Sequence, residues 1–275
     1  MRHIDLRHFD PPPGWTDRAQ RATAALFALN THEERMNFIK THRDLLSELR
    51  NALVDKFGPK CWFTDAPEFV AKLDVEHFRP KAKALNLDGS ERGGYWWLAF
   101  DRDNLKLCGQ IPNREHKLCY FPLHKNSRIA DERNVSWRDE TPTFLDPTNL
   151  LDVSLVVYGE EGGVHPRADA TDWEKERVAI TNELMGLSKY QPLVEARQKV
   201  WQNCTDLIQG YLKVIAEERA SAVPSPVLEE RKKNIQMDLK KMTDPEGPFA
   251  SVAAACLRLS GHPFALAIAT QQHGG

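Results

Sequence analysis

The chain has 275 residues, 41% of them apolar, and a formal net charge of -2. That is apolar material enough for one large core or two smaller ones, while the near-neutral charge excludes a nucleic-acid contact spread over the whole surface and leaves only a local cluster of Lys and Arg. No window approaches the roughly 18 apolar residues of a membrane span, and the polar, Pro-rich opening MRHIDLRHFDPPPGW does not read as a signal peptide. The expected location is therefore the cytoplasm, with the five scattered cysteines (Cys61, Cys108, Cys119, Cys204 and Cys256) as reduced thiols.

In chain order, residues 1–58 form an N-terminal helical segment. Ala24, Phe27, Phe38, Ile39, Leu45, Leu46, Leu49 and Leu53 recur at helical spacing and predict two helices, interrupted near NTHEE and closed by FGPK. Residues 59–125 change character to short aromatic-rich runs with clustered His, Asn and Arg. There GYWWLAF predicts a strand whose rings fill a core, in preference to a base-stacking platform. Residues 126–190 read as a loop, strand and helix extension packed on that core: VSLVVYG alternates like a strand and EEGGV supplies its turn. Residues 191–275 form a C-terminal helical region broken at SAVPSP, and the acids interleaved in EERKKNIQMDLKKM mark a solvated face.

Three runs within about forty residues carry the chemistry: DVEHFRPK (74–81), DNL (103–105) and PNREHK (112–117). Each alone is common by chance. Their order, with YWWL leading into DNL and with FPL closing the third, resembles the bacterial HNH family that includes the nuclease component of Septu-type and retron-associated anti-phage systems. The similarity extends through TFLDPTNLLD and RVAITNELMGLSKYQPLVEAR and covers roughly residues 55 to 200. It implies an α+β, mainly helical chain with a small ββα-metal (HNH) core and flanking helices. It further implies a metal-dependent endonuclease that hydrolyses phosphodiester bonds in DNA within an anti-phage defence module, regulated by a partner ATPase.

Phosphodiester hydrolysis needs a base to activate water and a cation to stabilise the developing charge. His77 suits the base, since imidazole titrates near neutrality. Glu76, on the other side of an extended chain, suits an oxygen ligand for Mg²⁺ or Mn²⁺. By resemblance, Asn113 is the second ligand and Asn104 braces the loop that aims His77. Arg79, Lys81, Arg114 and Lys117 flank this trio and are expected to hold the phosphate backbone without reading sequence. His116, three positions after Asn113, is a possible additional site residue.

In relatives, two Cys-x-x-Cys pairs hold a structural zinc. Here they read CWFT and GQIP, with Cys61 retained and Thr64, Gly109 and Pro112 at the other positions. No structural zinc is expected, with Trp62, Phe63, Ile111, Leu118 and Phe121 packing in its place, although a rearranged site of Cys61, Cys108, His116 and Cys119 stays open. Two other functions stay open as well: an inactive HNH-fold protein that binds nucleic acid or a partner, and an RNA nuclease using the same site.

Overall fold

Local chemistry decides the N-terminal helices. In the computed structural model, which describes residues 1–68, 71–221 and 223–270, helix α1 (Trp15–Phe27) starts after Gly14, whose φ of 71° suits a residue without a side chain. Helix α2 (His32–Thr41) opens on a capping box: the Thr31 hydroxyl accepts the Glu34 N–H, and the Glu34 carboxylate accepts the Thr31 N–H. Helix α3 (Arg43–Phe57) buries Leu45, Leu49 and Leu53, an i, i+4 stripe facing α1. Three helices thus stand where the periodicity predicts two. The Thr41 hydroxyl and the His42 ring both bond the Phe38 carbonyl, and such side-chain bonds compete with the helix ladder and break it at His42.

Strand β1 (Asp74–His77) pairs antiparallel with the later strand β4 (Leu105–Cys108), setting Asp74 opposite Cys108, Glu76 opposite Lys106 and His77 opposite Leu105. Between them, β2 (Lys83–Leu85) and β3 (Glu91–Gly93) form a hairpin. The aromatic run that follows is not the expected strand but a tight turn at Trp96–Leu98. At Gly94 any Cβ would collide with the backbone of Ala82, so the chain crosses itself there and turns. The rings are nonetheless inside: Tyr95 packs on Phe121, and Phe78 packs on both Phe121 and Phe144.

After β4 comes a single π-helical turn, Pro112–Lys117, with Pro112 at its first position. Its wide ring closes through the Leu118 N–H on the Asn113 carbonyl at 3.0 Å. Leu118, expected to pack inside, is 53% exposed at φ 49° and ends the turn.

A short α4 (Leu150–Ser154) leads into the hairpin of β5 (Val156–Tyr158) and β6 (Val164–Pro166). Helices α5 (Asp172–Leu184), α6 (Gln191–Ala220), α7 (Pro226–Met242), α8 (Ala250–Leu259) and α9 (Pro263–Thr270) complete the chain. The expected break at SAVPSP falls between α6 and α7. Its residue 222 lies outside the described residues, as do residues 271–275 of the C-terminal helical region.

The result is α+β and mainly helical, with two apolar cores. The larger gathers α1 to α3, the small sheets, α5 and the start of α6; the smaller holds Cys204, Ile208, Leu239, Cys256, Leu257 and Ile268. Helix α6, 30 residues and roughly 45 Å long, serves both, through Leu193 in the first and Cys204 in the second. Asp65 ties the C-terminal bundle to the segment before β1: it accepts the Ser251 N–H and hydroxyl at 2.9 and 2.7 Å and pairs with buried Lys60 at 2.6 Å. No helix among the described residues is long and apolar enough to cross a membrane.

Candidate functional site

The site is organised by strand alternation. Side chains of an extended chain alternate between faces, so in β1 Asp74 and Glu76 share one face while His77 takes the other. The π-helical turn lies across the acidic face. Asn113 donates its carboxamide N–H to Asp74 at 3.0 Å, and Arg114 grips the same carboxylate with two N–H groups at 2.8 and 2.7 Å. One turn on, the Lys117 ammonium pairs with Glu76 and also donates to the His77 carbonyl at 3.3 Å. Lys117 is wholly buried and Glu76 nearly so.

On the opposite face, the His77 Nε2 lies 3.0 Å from the Ala99 carbonyl. Burial, reinforced by the Lys81 and Lys117 ammonium groups, holds the imidazole well below its ordinary value, and the Ala99 hydrogen bond offsets this only in part. A neutral imidazole facing a carbonyl must carry its proton on Nε2, which leaves Nδ1 with the lone pair. Burial likewise lowers Lys81, against the attraction of Glu76 and Cys119.

Asn104 fixes the chain that follows His77. Its Oδ1 accepts the Arg79 N–H at 2.8 Å, and its Nδ2 donates to the carbonyls of Arg79 at 3.1 Å and Leu98 at 3.3 Å. A side chain that satisfies three backbone groups sets the exit direction of β1.

Arg79 and Lys117, expected against phosphate, are both inside. The Arg79 guanidinium is committed to Glu140 at 2.8 Å and the Trp137 carbonyl at 3.0 Å, and Glu140 in turn accepts the Tyr95 hydroxyl and the Ala130 N–H. Arg114 stays exposed but is engaged by Asp74, and Lys81 is half-buried beside Glu76. His116 points away from this face: its ring rests on Gly186, at the end of α5, where a Cβ would collide with it. Sequence reasoning passed over Asp74, although its place two residues before Glu76 on a strand puts both carboxylates on one face. Glu140, 61 residues from Arg79, gave no local signal.

The four positions compared with the zinc pairs lie together. A Cβ built on Gly109 would meet Glu68 Oε1 at 2.8 Å, Pro112 Cδ at 3.4 Å and Cys61 Cβ at 3.8 Å. Burial works to raise the Cys61 thiol, yet hydrogen bonds from the Cys108 thiol, the Thr64 hydroxyl and the N–H groups of Gly109 and Thr64 bring it down to about 6. Burial and the neighbouring Cys61 push the Cys108 thiol up. No three His, Cys, Asp or Glu residues group around a metal position among the described residues, and the set Cys61, Cys108, His116 and Cys119 is not assembled. Trp62, Phe63 and Phe121 pack here with no exposure, and Ile111 is half-buried.

For a divalent cation, Glu76 and Asn113 offer a carboxylate and a carboxamide oxygen, hard donors of the kind Mg²⁺ and Mn²⁺ accept alongside retained waters. The acidic face already attracts positive charge, with Lys117 on Glu76 and Arg114 on Asp74. Both carboxylates are thus already neutralised, and a cation at this face has to displace the Lys117 ammonium or the Arg114 guanidinium. A surface cavity of about 720 Å³ beside Arg92, His124 and Trp173 includes none of these residues.

No protein-family model matches the chain. It is similar to a Septu protein PtuB from Bacillus mycoides (strain KBAB4), with 38% identity over 152 residues, 51% of this chain and 51% of that protein. The chain thus spans about half the length of the curated relative it matches.

Proposed function

We propose that this chain is a cytoplasmic, metal-dependent HNH endonuclease that hydrolyses phosphodiester bonds in DNA as part of an anti-phage defence module, with a partner ATPase regulating it. The observation that carries the reading is that β1 and the π-helical turn gather the three runs: Glu76 and His77 are neighbours on opposite faces of β1, His77 is held by the Ala99 carbonyl, and Asn113 reaches β1 through Asp74. The β1–β4 pair followed by that turn supports the reading as a counterpart of the ββα order, with a π-helical turn where the α-helix would stand. The likeness to a Septu protein supports the defence role and a partner within the same system.

Each residue then has a task. His77 is the proposed base, with Nδ1 as the atom left to accept a proton because Nε2 is committed to the Ala99 carbonyl; buried on the face opposite Glu76, it needs an opening of the side formed by residues 96–100 to reach water. Asn104 holds the backbone after His77 in place. Glu76 and Asn113 hold Mg²⁺ or Mn²⁺, which supplies charge stabilisation for the phosphorus centre and its leaving oxygen when bound. Lys117 balances the Glu76 charge while the carboxylate is buried. Lys81 and Arg114 remain the basic groups nearest an approaching phosphate backbone.

A second reading, an HNH-fold protein that binds nucleic acid or a partner without hydrolysis, is favoured by the Lys117 ammonium on Glu76. Plasmid nicking with Mg²⁺, Mn²⁺ or EDTA, alone and with the partner ATPase, separates the two. The nuclease reading expects metal-dependent cutting that His77→Ala abolishes. No cutting of DNA or RNA under any of these conditions supports the binding protein, and cutting of RNA alone reassigns the substrate.

A further inference from the structure

Helices α6 and α8 meet across two thiols that the proposed chemistry does not use. The Cys204 Sγ of α6 lies 3.8 Å from the Ala253 carbonyl of α8, and the Cys256 Sγ of α8 lies 3.8 Å from the Trp201 carbonyl of α6. Each sulfur thus reaches the backbone of the opposite helix, one turn before the other cysteine. Reciprocal contact of this kind requires closely spaced axes, and the run Ala253, Ala254 and Ala255 before Cys256 permits it by keeping bulk out of the interface. The two thiols share a hydrogen bond and belong to the same buried cluster as Leu239, Ile268 and Ala269.

The pair is chemically unequal. The Thr205 hydroxyl lies 3.6 Å from the Cys256 sulfur and has no counterpart at Cys204 in the contacts of that sulfur with α8. Hydrogen bonds from the Cys204 thiol and then from Thr205 lower the Cys256 thiol against its burial, while the neighbouring Cys256 and burial push the Cys204 thiol up. The thiolate is the form that attacks an oxidant, so Cys256 is the sulfur that reacts first and Cys204 the one that resolves.

We propose that Cys204 and Cys256 form a reversible disulfide site for hydrogen peroxide, which clamps α6 to α8 when oxidised. The Cys256 thiolate attacks one oxygen of the peroxide: an S–O bond forms, the O–O bond breaks, and the departing hydroxide takes up the proton that the Cys256 thiol had shed and leaves as water. The Cys204 sulfur then attacks the Cys256 sulfur: the S–S bond forms, the S–O bond breaks, and the proton of Cys204 goes with the departing oxygen as a second water. Two thiols become one disulfide and one peroxide becomes two waters. Helix α9, eight residues long, supplies Ala265, Ile268 and Ala269 to the cluster around the pair, and its local opening admits peroxide without unfolding the larger core. The site is separate from the one on β1 and the π-helical turn and does not depend on nucleic-acid cutting.

The test is treatment of the whole native chain with millimolar hydrogen peroxide in the absence of denaturant, followed by alkylation, peptide mapping by mass spectrometry and thermal melting. Expected are two peptides joined through Cys204 and Cys256, a melting temperature higher by about 4–16 °C, as a disulfide across a loop of this kind typically gives, and reversal of both by dithiothreitol. In Cys204→Ser, dimedone should trap a sulfenic acid at Cys256, whereas Cys256→Ser should leave Cys204 reduced. Melting of the reduced variants checks their folding, and Cys204→Ala or Cys256→Ala replaces a serine variant that does not fold. Thiols that stay open to alkylation after peroxide in the native chain and oxidise only in urea, or disulfides to Cys61, Cys108 or Cys119 in place of this pair, overturn the site. Trapping at Cys204 in Cys256→Ser overturns the order of attack, and a disulfide that leaves the melting temperature unchanged overturns the clamp.

Discussion

Substituting Lys117 by Met tests the centre of the site directly. The change keeps most of the aliphatic stem and removes only the ammonium group, so Glu76 is left nearly buried with its charge unpaired. Breaking a buried ion pair from one side costs about 3–5 kcal/mol, against about 0–1 for an exposed pair. For domains a little smaller than this one, each kcal/mol moves the melting temperature by about 2–4 °C, so a fall on the order of 6–20 °C is expected. Adding Glu76→Gln to Lys117→Met should recover most of the loss, since neither charge then remains. Mn²⁺ should stabilise Lys117→Met more than the wild type, because the freed carboxylate can take the cation; at about 100 times Kd the gain is about 2.7 kcal/mol. Differential scanning fluorimetry of the wild type and these two variants, with and without Mn²⁺, is sufficient. A loss below about 1 kcal/mol for Lys117→Met would show that Glu76 is solvated, and the buried pair would cease to explain anything about the site.

Leu118→Gly relieves a non-glycine residue at φ 49° whose side chain is exposed, and should stabilise the chain by on the order of 1 kcal/mol in urea titration. Glu140→Ala strips Arg79, Tyr95 and the Ala130 N–H of their shared acceptor and should cost about 3–5 kcal/mol, a loss that thermal melting will detect. Gly186→Ala forces a Cβ into the His116 ring at φ 62°, so a loss of about 1 kcal/mol or more is expected, partly regained by His116→Ala in the same background. The Cys61 thiol sits at about 6 when folded, below its ordinary value of 9.0. Its contribution to stability is complete above 9 and is lost as pH falls through 6, so unfolding free energy should rise with pH across that window and do so less in Cys61→Ser. Thiolate absorbance near 240 nm gives an independent titration of the same group.

Helix α3 was legible because Leu45, Leu49 and Leu53 repeat at one helical face, and the hairpin of β5 and β6 because VSLVVYG alternates before a Gly turn. The aromatic run was misread because a short apolar stretch buried on all sides carries no periodicity, and the crossing that makes Gly94 obligatory is a tertiary fact. His77, Asn104 and Asn113 stand in recognisable runs, yet their surroundings do not. The partner of Lys117 is 41 residues away and that of Arg79 is 61 away, so a lysine or arginine in the sequence looks the same whether it faces solvent or neutralises a buried carboxylate. Asp74 was readable in principle, from strand alternation alone. The final helix, α9, starts at Pro263, a residue suited to a first helical position.

The bare α-carbon of Gly186 beneath the His116 ring limits how far the site can be excised or transplanted. The turn bearing Asn113 leans on the end of α5, the Arg79 guanidinium leans on Glu140, and the buried Lys106 of β4 leans on Asp146 and Thr148 at 3.0 and 2.7 Å. A fragment cut at residue 125 would leave two buried cations and one imidazole without their supports, so it should collapse into aggregates rather than survive as a minimal module. Grafting the site into another scaffold requires residues up to about Gly186 to travel with it, and any partner that shifts α5 by a fraction of a helical turn would press, through one imidazole, on the segment that holds Asn113.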